Sequence, residues 1–320
     1  MVEPNQSGPV LVTGGAGFVG RAVLRELVAR RLGPVVAPSS SDFDLTRQGD
    51  VATMFDTIRP RLVIHLAARV GGIGANRRYP ADLYLANLLM GTYLIEEARR
   101  AGTPKTVVVG TICSYPKITP VPFVEASLWD GYPDETNAPY GVAKKALLVQ
   151  AQANRAQYGQ TIIYLMPTNL YGPGDKFHPE VSHVIPALIK KCVDAREAGG
   201  DEVEVWGTGA ASREFLYVDD AARGILDATE HYDGEEPVNL GSGEELPVRR
   251  LAEMIAEATG FDGTLRWNPR QPDGQPRRQL DTSLASKLFG FRATTALQDG
   301  LRETVSWYLA NREVAEARRV

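Results

Sequence analysis

The stretch VLVTGGAGFVGRAVLRELVA, residues 10–29, restricts the fold of this chain more than any other. Val10–Val12 is a short apolar run of the kind that forms a strand buried on both faces of a parallel sheet. Gly14, Gly17 and Gly20 follow at intervals of three, and the apolar spacing from Phe18 to Leu27 suits a helix. A strand, a glycine turn and a helix in that order open a strand–helix–strand unit. The three glycines have separate tasks: the first permits a tight turn, the second lets a pyrophosphate approach the backbone, and the third lets helix and strand pack closely. The helix N-terminus then faces the phosphates. A lone glycine pattern is weak evidence, but here it follows a strand and opens a helix, which is the context a dinucleotide site requires. Gly14, Gly17, Phe18, Val19 and Gly20 are therefore candidate cofactor-binding residues.

Further strand–helix units follow. RLVIHLAAR (61–69) reads as a strand ending in small residues, so Leu66, Ala67 and Ala68 suit the close approach of a flat cofactor. His65, inside an apolar run, reads as a packed core histidine. Residues 79–102 read as a long helix with Gly102 as its stop signal. Lys105–Val109 is the next strand, a helix begins after Pro139, and residues 162–174 are a strand followed by a loop. Alternation of this kind implies an α/β fold with a Rossmann-type doubly wound parallel sheet, whose ligands gather outside the carboxyl ends of strands. Thr111, Cys113 and Asn169 all follow such ends. After Tyr171 proline, glycine and charge become frequent, the texture of a smaller C-terminal substrate-binding domain. FLYVDDAARGILDATE and PVNLGSG read as a return to the sheet. The expected division is a dinucleotide-binding domain of residues 1–172 with a return segment at about 213–243, and a substrate-binding domain of 173–212 with 244–320, within a chain of 320 residues.

A net charge of −4, with no basic run except the terminal EARRV, argues against a nucleic-acid partner. No run resembles a signal peptide or is long enough to span a membrane, so a soluble cytoplasmic protein is expected. The two cysteines, Cys113 and Cys192, are too few for a disulfide framework and show no zinc-type pairing, so no metal is expected. The second strand, Val35–Ala37, leads into SSSDFDL. An acid at this strand end favours NAD and an arginine accommodates NADP, and neither stands there. Ser39 and Ser40 can hydrogen-bond either cofactor, while Asp44 comes late and either approaches adenine or caps a local turn.

Tyr140 and Lys144 are four apart on a helix and share a face. A neighbouring ammonium favours a phenolate and lowers the tyrosine pKa from about 10. Such a tyrosine exchanges a proton with a carbonyl or alcohol oxygen while hydride moves at carbon, and Thr111 can hold the same oxygen. Alone, the pair is equally well read as an ordinary surface tyrosine and lysine.

Several long motifs accompany that pair: VGGIGAN (70–76), SYPK (114–117), TNAPYGVAKK (136–145), MPTNLYGPGD (166–175), FHPEVSHVIPALI (177–189), WGTGAASREFLYVDD (206–220) and PDGQPRRQLD (272–281). With them the chain resembles the GDP-L-fucose synthase family of the extended short-chain dehydrogenase/reductases, from about Val10 to about Asn311. The resemblance implies a catalytic triad at Thr111, Tyr140 and Lys144, with Cys113 as base and His183 as acid for epimerisation. It implies Lys144, Pro167, Asn169 and Leu170 at the cofactor. It places the nucleotide sugar, a GDP-hexose, on Asn169, Val184, Lys191, Trp206, Arg213, Asp273 and Arg277 or Arg278. Trp206 is either a stacking face or core. The implied reaction is C3/C5 epimerisation of a GDP-4-keto-6-deoxyhexose, then reduction at C4. A 4-keto group acidifies the C3 and C5 hydrogens, the enolate carries its charge on the C4 oxygen, and donors there act as an oxyanion hole. Thiol and imidazole, with ordinary pKa values of about 8.5 and about 6.5, straddle neutrality.

The chain departs from the family at Ala16 and at the PSSS stretch, where the family has arginines that read NADP. The cofactor is thus NAD or NADP, with NAD favoured. The alternatives are a redox-neutral GDP-mannose 3,5- or 5-epimerase with tightly bound NAD, and a non-catalytic dinucleotide sensor, which would be free to lose the five reactive side chains. The resemblance also implies a homodimer, and the helices at 79–102 and 140–158 carry the apolar surface for it. Light scattering at micromolar concentration is expected to give a dimer mass; a monomer alone would refute this.

Overall fold

A computed structural model describes residues 8–271 and 273–318. Residues 1–7 of the expected first domain, Pro272 of the PDGQPRR loop, and Arg319 and Val320 of EARRV lie outside the described residues. In chain order the first half contains β1 (Val10–Thr13), α1 (Phe18–Ala29), β2 (Val35–Val36), α2 (Gln48–Ile58), β3 (Leu62–His65), α3 (Ile73–Arg78), α4 (Pro80–Arg100), β4 (Lys105–Val109), α5 (Ala138–Tyr158), β5 (Ile162–Pro167) and β6 (Asn169–Tyr171). The second half contains α6 (Val184–Glu197), β7 (Glu202–Trp206), β8 (Ser212–Tyr217), α7 (Val218–His231), β9 (Val238–Leu240), β10 (Glu245–Pro247), α8 (Val248–Thr259), β11 (Thr264–Asn268), β12 (Arg277–Arg278), α9 (Ser283–Phe289), α10 (Leu297–Ala310) and α11 (Arg312–Ala317).

The central sheet has the order β2-β1-β3-β4-β5-β9, and every neighbouring pair is parallel. Its strands are apolar along their length because helices cover both faces. Val10, Val12 and Ile64 pack with α1 and α7, whereas Leu11 and Val63 pack with α2 and α4. The progression of the sheet reverses at β1, between β2 on one side and β3 on the other, and this switch point is where an open α/β sheet binds its ligand.

A second core is built from Tyr171, Phe177, α6, β7, α8 and α10. Beside it β8 pairs with β10 antiparallel and with β6 and β12 in parallel, while β7 and β11 form a separate parallel pair. This corrects the expected return to the sheet: of the two return segments, only PVNLGSG supplies a central strand, β9. FLY, the end of β8, joins the second sheet, and VDD opens α7. Phe215 and Tyr217 enter the second core, and Leu216 enters the first. The Glu214 carboxylate, fully buried at this junction, accepts from Gly243 N and Leu280 N at 2.7 Å each. It thereby ties β8 to the segments on either side.

Element ends moved modestly. The helix read over 79–102 spans Pro80–Arg100, and the helix read from Tyr140 starts at Ala138, with Pro139 in its first turn, where a missing N–H costs nothing. The strand read over 61–69 stops at His65, because the chain then passes beneath the glycine turn. Among the described residues, no helix is long and apolar enough to cross a membrane.

His65 is a core residue, as expected: it is fully buried, and its Nδ1 lies 2.8 Å from Thr13 Oγ1. Burial, reinforced by the Lys144 ammonium, pushes its pKa down to about 3. An unfolded histidine titrates near 6.5, so between the two values the unfolded chain holds a proton that the folded chain lacks, and acid destabilises the fold. Stability is expected to drop by about 1.4 kcal/mol per pH unit below pH ~6.5 from this residue. Urea unfolding at pH 7 and pH 5 should show this slope in the wild type and a shallower one in His65→Val; parallel slopes would refute it.

Candidate active site

The glycine turn sits at the switch point. Gly14 has φ +74°, and a Cβ there would lie 2.7 Å from Ala67 N. A Cβ on Gly20 would lie 2.1 Å from Gly14 O. The first and third glycines therefore allow the turn, β3's exit and α1 to meet at backbone contact distance. Gly17 caps α1 without a side chain, and the first turn of that helix holds no acid. The N–H groups of Phe18, Val19 and Gly20 remain for an anion, an arrangement that fits a dinucleotide diphosphate. Leu66 is held by Thr13 O and Ala67 by Thr13 Oγ1, at 3.2 and 3.5 Å, so the small residues 66–68 border the same crevice.

Ser39 and Ser40 are exposed beyond β2. Ser39 is committed locally: its N–H and Oγ both donate to Asp42, at 2.8 and 2.7 Å. Asp44 caps a turn by accepting from Thr46 N at 2.9 Å and Thr46 Oγ1 at 2.7 Å. A residue not singled out in the sequence, Arg21, spans the crevice wall by donating to Ala16 O at 3.0 Å and Gly174 O at 2.7 Å.

The reactive side chains collect where β4 ends. Gly110 must be glycine-sized, because a Cβ would lie 2.4 Å from the Tyr164 ring. Thr111 then caps a single 3-10 turn, Ile112–Ser114, with its Oγ1 accepting from Cys113 N at 3.2 Å. Helix α5 lies directly on this turn. A Cβ on Gly141 would stand 2.3 Å from Cys113 O, and Ser114 Oγ donates to Gly141 O at 3.0 Å. Lys144 Nζ donates to Val109 O at 3.0 Å, and Tyr164 OH to Lys144 O at 2.8 Å. Thr111, Cys113, Tyr140 and Lys144 are thus brought to one place from two elements.

Burial pushes the Tyr140 phenol up, the nearby Cys113 acts in the same direction, and a hydrogen bond with Thr111 opposes them. Burial pushes Lys144 down, to about 8. The expected lowering of the tyrosine by its lysine is therefore corrected: desolvation dominates, and the ammonium is drawn to the carbonyl at the end of β4.

His183 comes from a different element, at the N-cap of α6. It is exposed, yet the protein around its ring and the Lys176 ammonium hold it below the usual imidazole range. The preceding segment is anchored to the VGGIGAN loop by Gly72 N donating to Val181 O at 3.3 Å. Val184 opens α6 and packs against the second core. Pro167 ends β5, Leu170 packs against the first core, and the Asn169 amide donates to Glu214 O at 2.9 Å.

Arg213 is deeply placed, its guanidinium aimed by Ser212 O at 2.7 Å and Asp273 O at 3.0 Å. Burial and then Arg278 push its pKa down to about 10. The Asp273 carboxylate is occupied by Thr208 N and Oγ1, 2.7 Å each, so it orders this loop. Trp206 is 53% exposed, which removes the core reading, and the Lys191 ammonium lies 5.7 Å from its ring centre. Arg277 points outward into a paired contact with Glu245. Arg278 takes the inward position. It is buried, aligned with Arg213 across β12 and β8, with Nη1 3.6 Å from Cys113 Sγ. Its Nε donates to Gln275, a residue the sequence did not suggest. Alternation along an RR pair was the available signal, but nothing in the sequence says which arginine faces in.

The family model for NAD dependent epimerase/dehydratase proteins matches residues 10–241. A protein of Oryza sativa subsp. japonica described as probable GDP-L-fucose synthase 1 is 45% identical over 308 residues, covering 96% of this chain and 94% of its own. The GDP-L-fucose synthase of Escherichia coli (strain K12) is 36% identical over 313 residues, covering 95% of this chain and 97% of its own. The crystal structure of a GDP-L-fucose synthetase from Naegleria fowleri bound to NADP matches with a TM-score of 0.89 at 31% identity, over 98% of each chain.

Proposed function

The chain belongs to the NAD dependent epimerase/dehydratase family, and we propose that it epimerises a GDP-4-keto-6-deoxyhexose at C3 and C5 and then reduces it at C4, the activity of a GDP-L-fucose synthase. The observation that carries this reading is Cys113 standing within electrostatic reach of Tyr140 and hydrogen-bond reach of Arg278. Reduction alone needs a proton donor and a hydride source. A thiol beside the proton donor supplies the extra base that inversion requires.

In this reading Cys113 takes the proton from the carbon next to the keto group, and His183 returns one from the other face. Thr111 and Tyr140 donate to the C4 oxygen as it gains charge. Burial keeps Tyr140 protonated, which suits a group that must give its proton to that oxygen. Lys144, tethered to Val109 O, holds its charge beside the cofactor. The glycine turn and Lys144 would hold a reduced nicotinamide dinucleotide, which would supply hydride to C4. Arg213 meets the diphosphate with a planar, permanently charged fork, and exposed Trp206 offers a stacking face. The second core and the sheet of β8, which carries Arg213, form the substrate-binding unit, and exposed Tyr84, Leu85 and Val149 on α4 and α5 suit a second subunit.

Two substitutions separate the chemistries. Tyr140→Phe is expected to slow C4 reduction about 10²–10⁴-fold, with the dinucleotide Kd little changed. Cys113→Ser is expected to abolish solvent-deuterium incorporation at C3 and C5 while still permitting reduction of the uninverted ketone. Normal exchange in Cys113→Ser would show that another group is the base.

The protein uses NAD(P), and within that choice we infer that NADH serves at least as well as NADPH. No basic side chain lies between residues 37 and 41, and Asp42 folds its carboxylate back onto Ser39. A charge-assisted hydrogen bond to a 2′-phosphate is worth about 1.5–3 kcal/mol, more than tenfold in relative affinity. The kcat/KM ratio for NADH over NADPH should be one or greater, and a strong NADPH preference would overturn it. The same site chemistry serves a redox-neutral epimerase. A new GDP-hexose formed from GDP-mannose without added reductant would replace the reductase reading.

A further inference from the structure

We propose that Arg278 is a positioning residue for the Cys113 base, holding a guanidinium against the sulfur as its counter-charge. The inference deepens the function proposed above and rests on that reading for the role of Cys113.

Arg278 is 8% exposed, and among the described residues no carboxylate lies within ion-pair distance of it. A buried cation without an anion is costly, so a site that keeps one is built to face negative charge. What its guanidinium does reach is Cys113 Sγ, 3.6 Å from Nη1. The aim is fixed from behind. Nε donates to Gln275 Oε1 at 2.7 Å, and Gln275 Nε2 donates to Lys117 O at 2.8 Å, in the segment that leaves the Cys113 turn. The backbone is clamped on both sides: Ser212 N donates to Pro276 O, and Phe123 N to Gln279 O. The cysteine and its arginine are therefore carried by the same hydrogen-bonded unit, although they lie far apart in sequence.

Around the sulfur stand the titratable Tyr140, the cation Arg278 and, one strand further, Arg213, whose own neighbours include Asp273, Asp134 and Glu245. Tyr140 from α5 is neutral because burial keeps it protonated, and Thr111 meets the Cys113 backbone. Arg278 comes from β12, with Arg213 beside it from β8. Of the two cations only the Arg278 guanidinium is within hydrogen-bond reach of the sulfur, and the thiolate is the form that takes protons. In the epimerisation step the C–H bond breaks, an S–H bond forms, and the electron pair stays on the sugar as an enolate with charge on the C4 oxygen. The guanidinium stabilises the state before the transfer, and Tyr140 and Thr111 the state after it. Arg213, with its own carbonyl anchors, remains for the diphosphate.

The test is alkylation of Cys113 by iodoacetamide in the substrate-free protein, an S–C bond forming as iodide leaves. It is followed on the Cys113 peptide by mass spectrometry, which separates it from buried Cys192. Arg278→Gln is expected to slow alkylation at pH 7 by about tenfold or more and to move its pH profile upward, and Arg278→Lys to restore most of the rate. Gln275→Ala keeps the charge but frees its aim, and a fall of about threefold is expected; this variant carries the test if Arg278→Gln does not fold. Unchanged alkylation in these variants with a raised KM for the nucleotide sugar would overturn the inference and assign Arg278 to the diphosphate alone. Solvent-deuterium exchange into a GDP-4-keto sugar is read in parallel. Altered alkylation without any exchange in the wild type would refute the proposed function and leave the arginine's role standing. Normal exchange with unaltered alkylation would do the reverse.

Discussion

The contact between Gly141 and the carbonyl of Cys113 governs the site. Helix α5 sits so close to the turn after β4 that no side chain fits between them. At that distance Ser114 bonds the helix backbone and Lys144 reaches back to Val109 O, so Tyr140 and Thr111 share a hydrogen bond. Moving the helix outward by the width of a methyl group would separate Tyr140 and Lys144 from Thr111 and Cys113. Misplacement of about 1 Å is enough to cost catalysis on the order of 10²-fold.

The same closeness explains the electrostatics. Desolvation disfavours whichever form of a group is charged, so one pocket drives Tyr140 and Lys144 in opposite directions. The tyrosine stays a proton donor, and the lysine's ammonium is held against Val109 O. Across the cleft the burial is of another kind: Arg213 and Arg278 are brought side by side by strand pairing. Their mutual repulsion is tolerated because the backbone holds them and because Asp273, Asp134 and Glu245 stand near Arg213.

The two cores are joined by β8 rather than by a flexible linker. Leu216 faces one core, Phe215 and Tyr217 the other, and buried Glu214 secures the flanking segments through backbone N–H groups. A carboxylate removed from water in this way is kept only because several donors meet it. The wall carrying Arg213 and Arg278 is thereby referenced to the central sheet that carries Thr111 and Cys113.

The central architecture was legible in the sequence because it follows local rules. Apolar runs that suit doubly covered strands, glycines at intervals of three and a helix starting at Phe18 describe a dinucleotide fold without knowledge of any contact. His65 as core and the Tyr140–Lys144 face also follow from periodicity and composition. Other features depend on partners distant in the chain. Which arginine of the pair at 277–278 faces inward depends on its register with Ser212 and Arg213, and a two-residue strand carries no pattern of its own. Whether β8 joined the first or the second sheet depended on which edges were available, not on its apolar alternation. The sign of the Tyr140 shift depended on how deeply α5 settled on the Cys113 turn, where the loss of water outweighs a lysine one helical turn away. Sequence by itself determined which groups could react, since chemistry belongs to side chains. Tertiary structure decided which of them face one another and how much water remains, since distance and hydration set the strength of every electrostatic interaction between them.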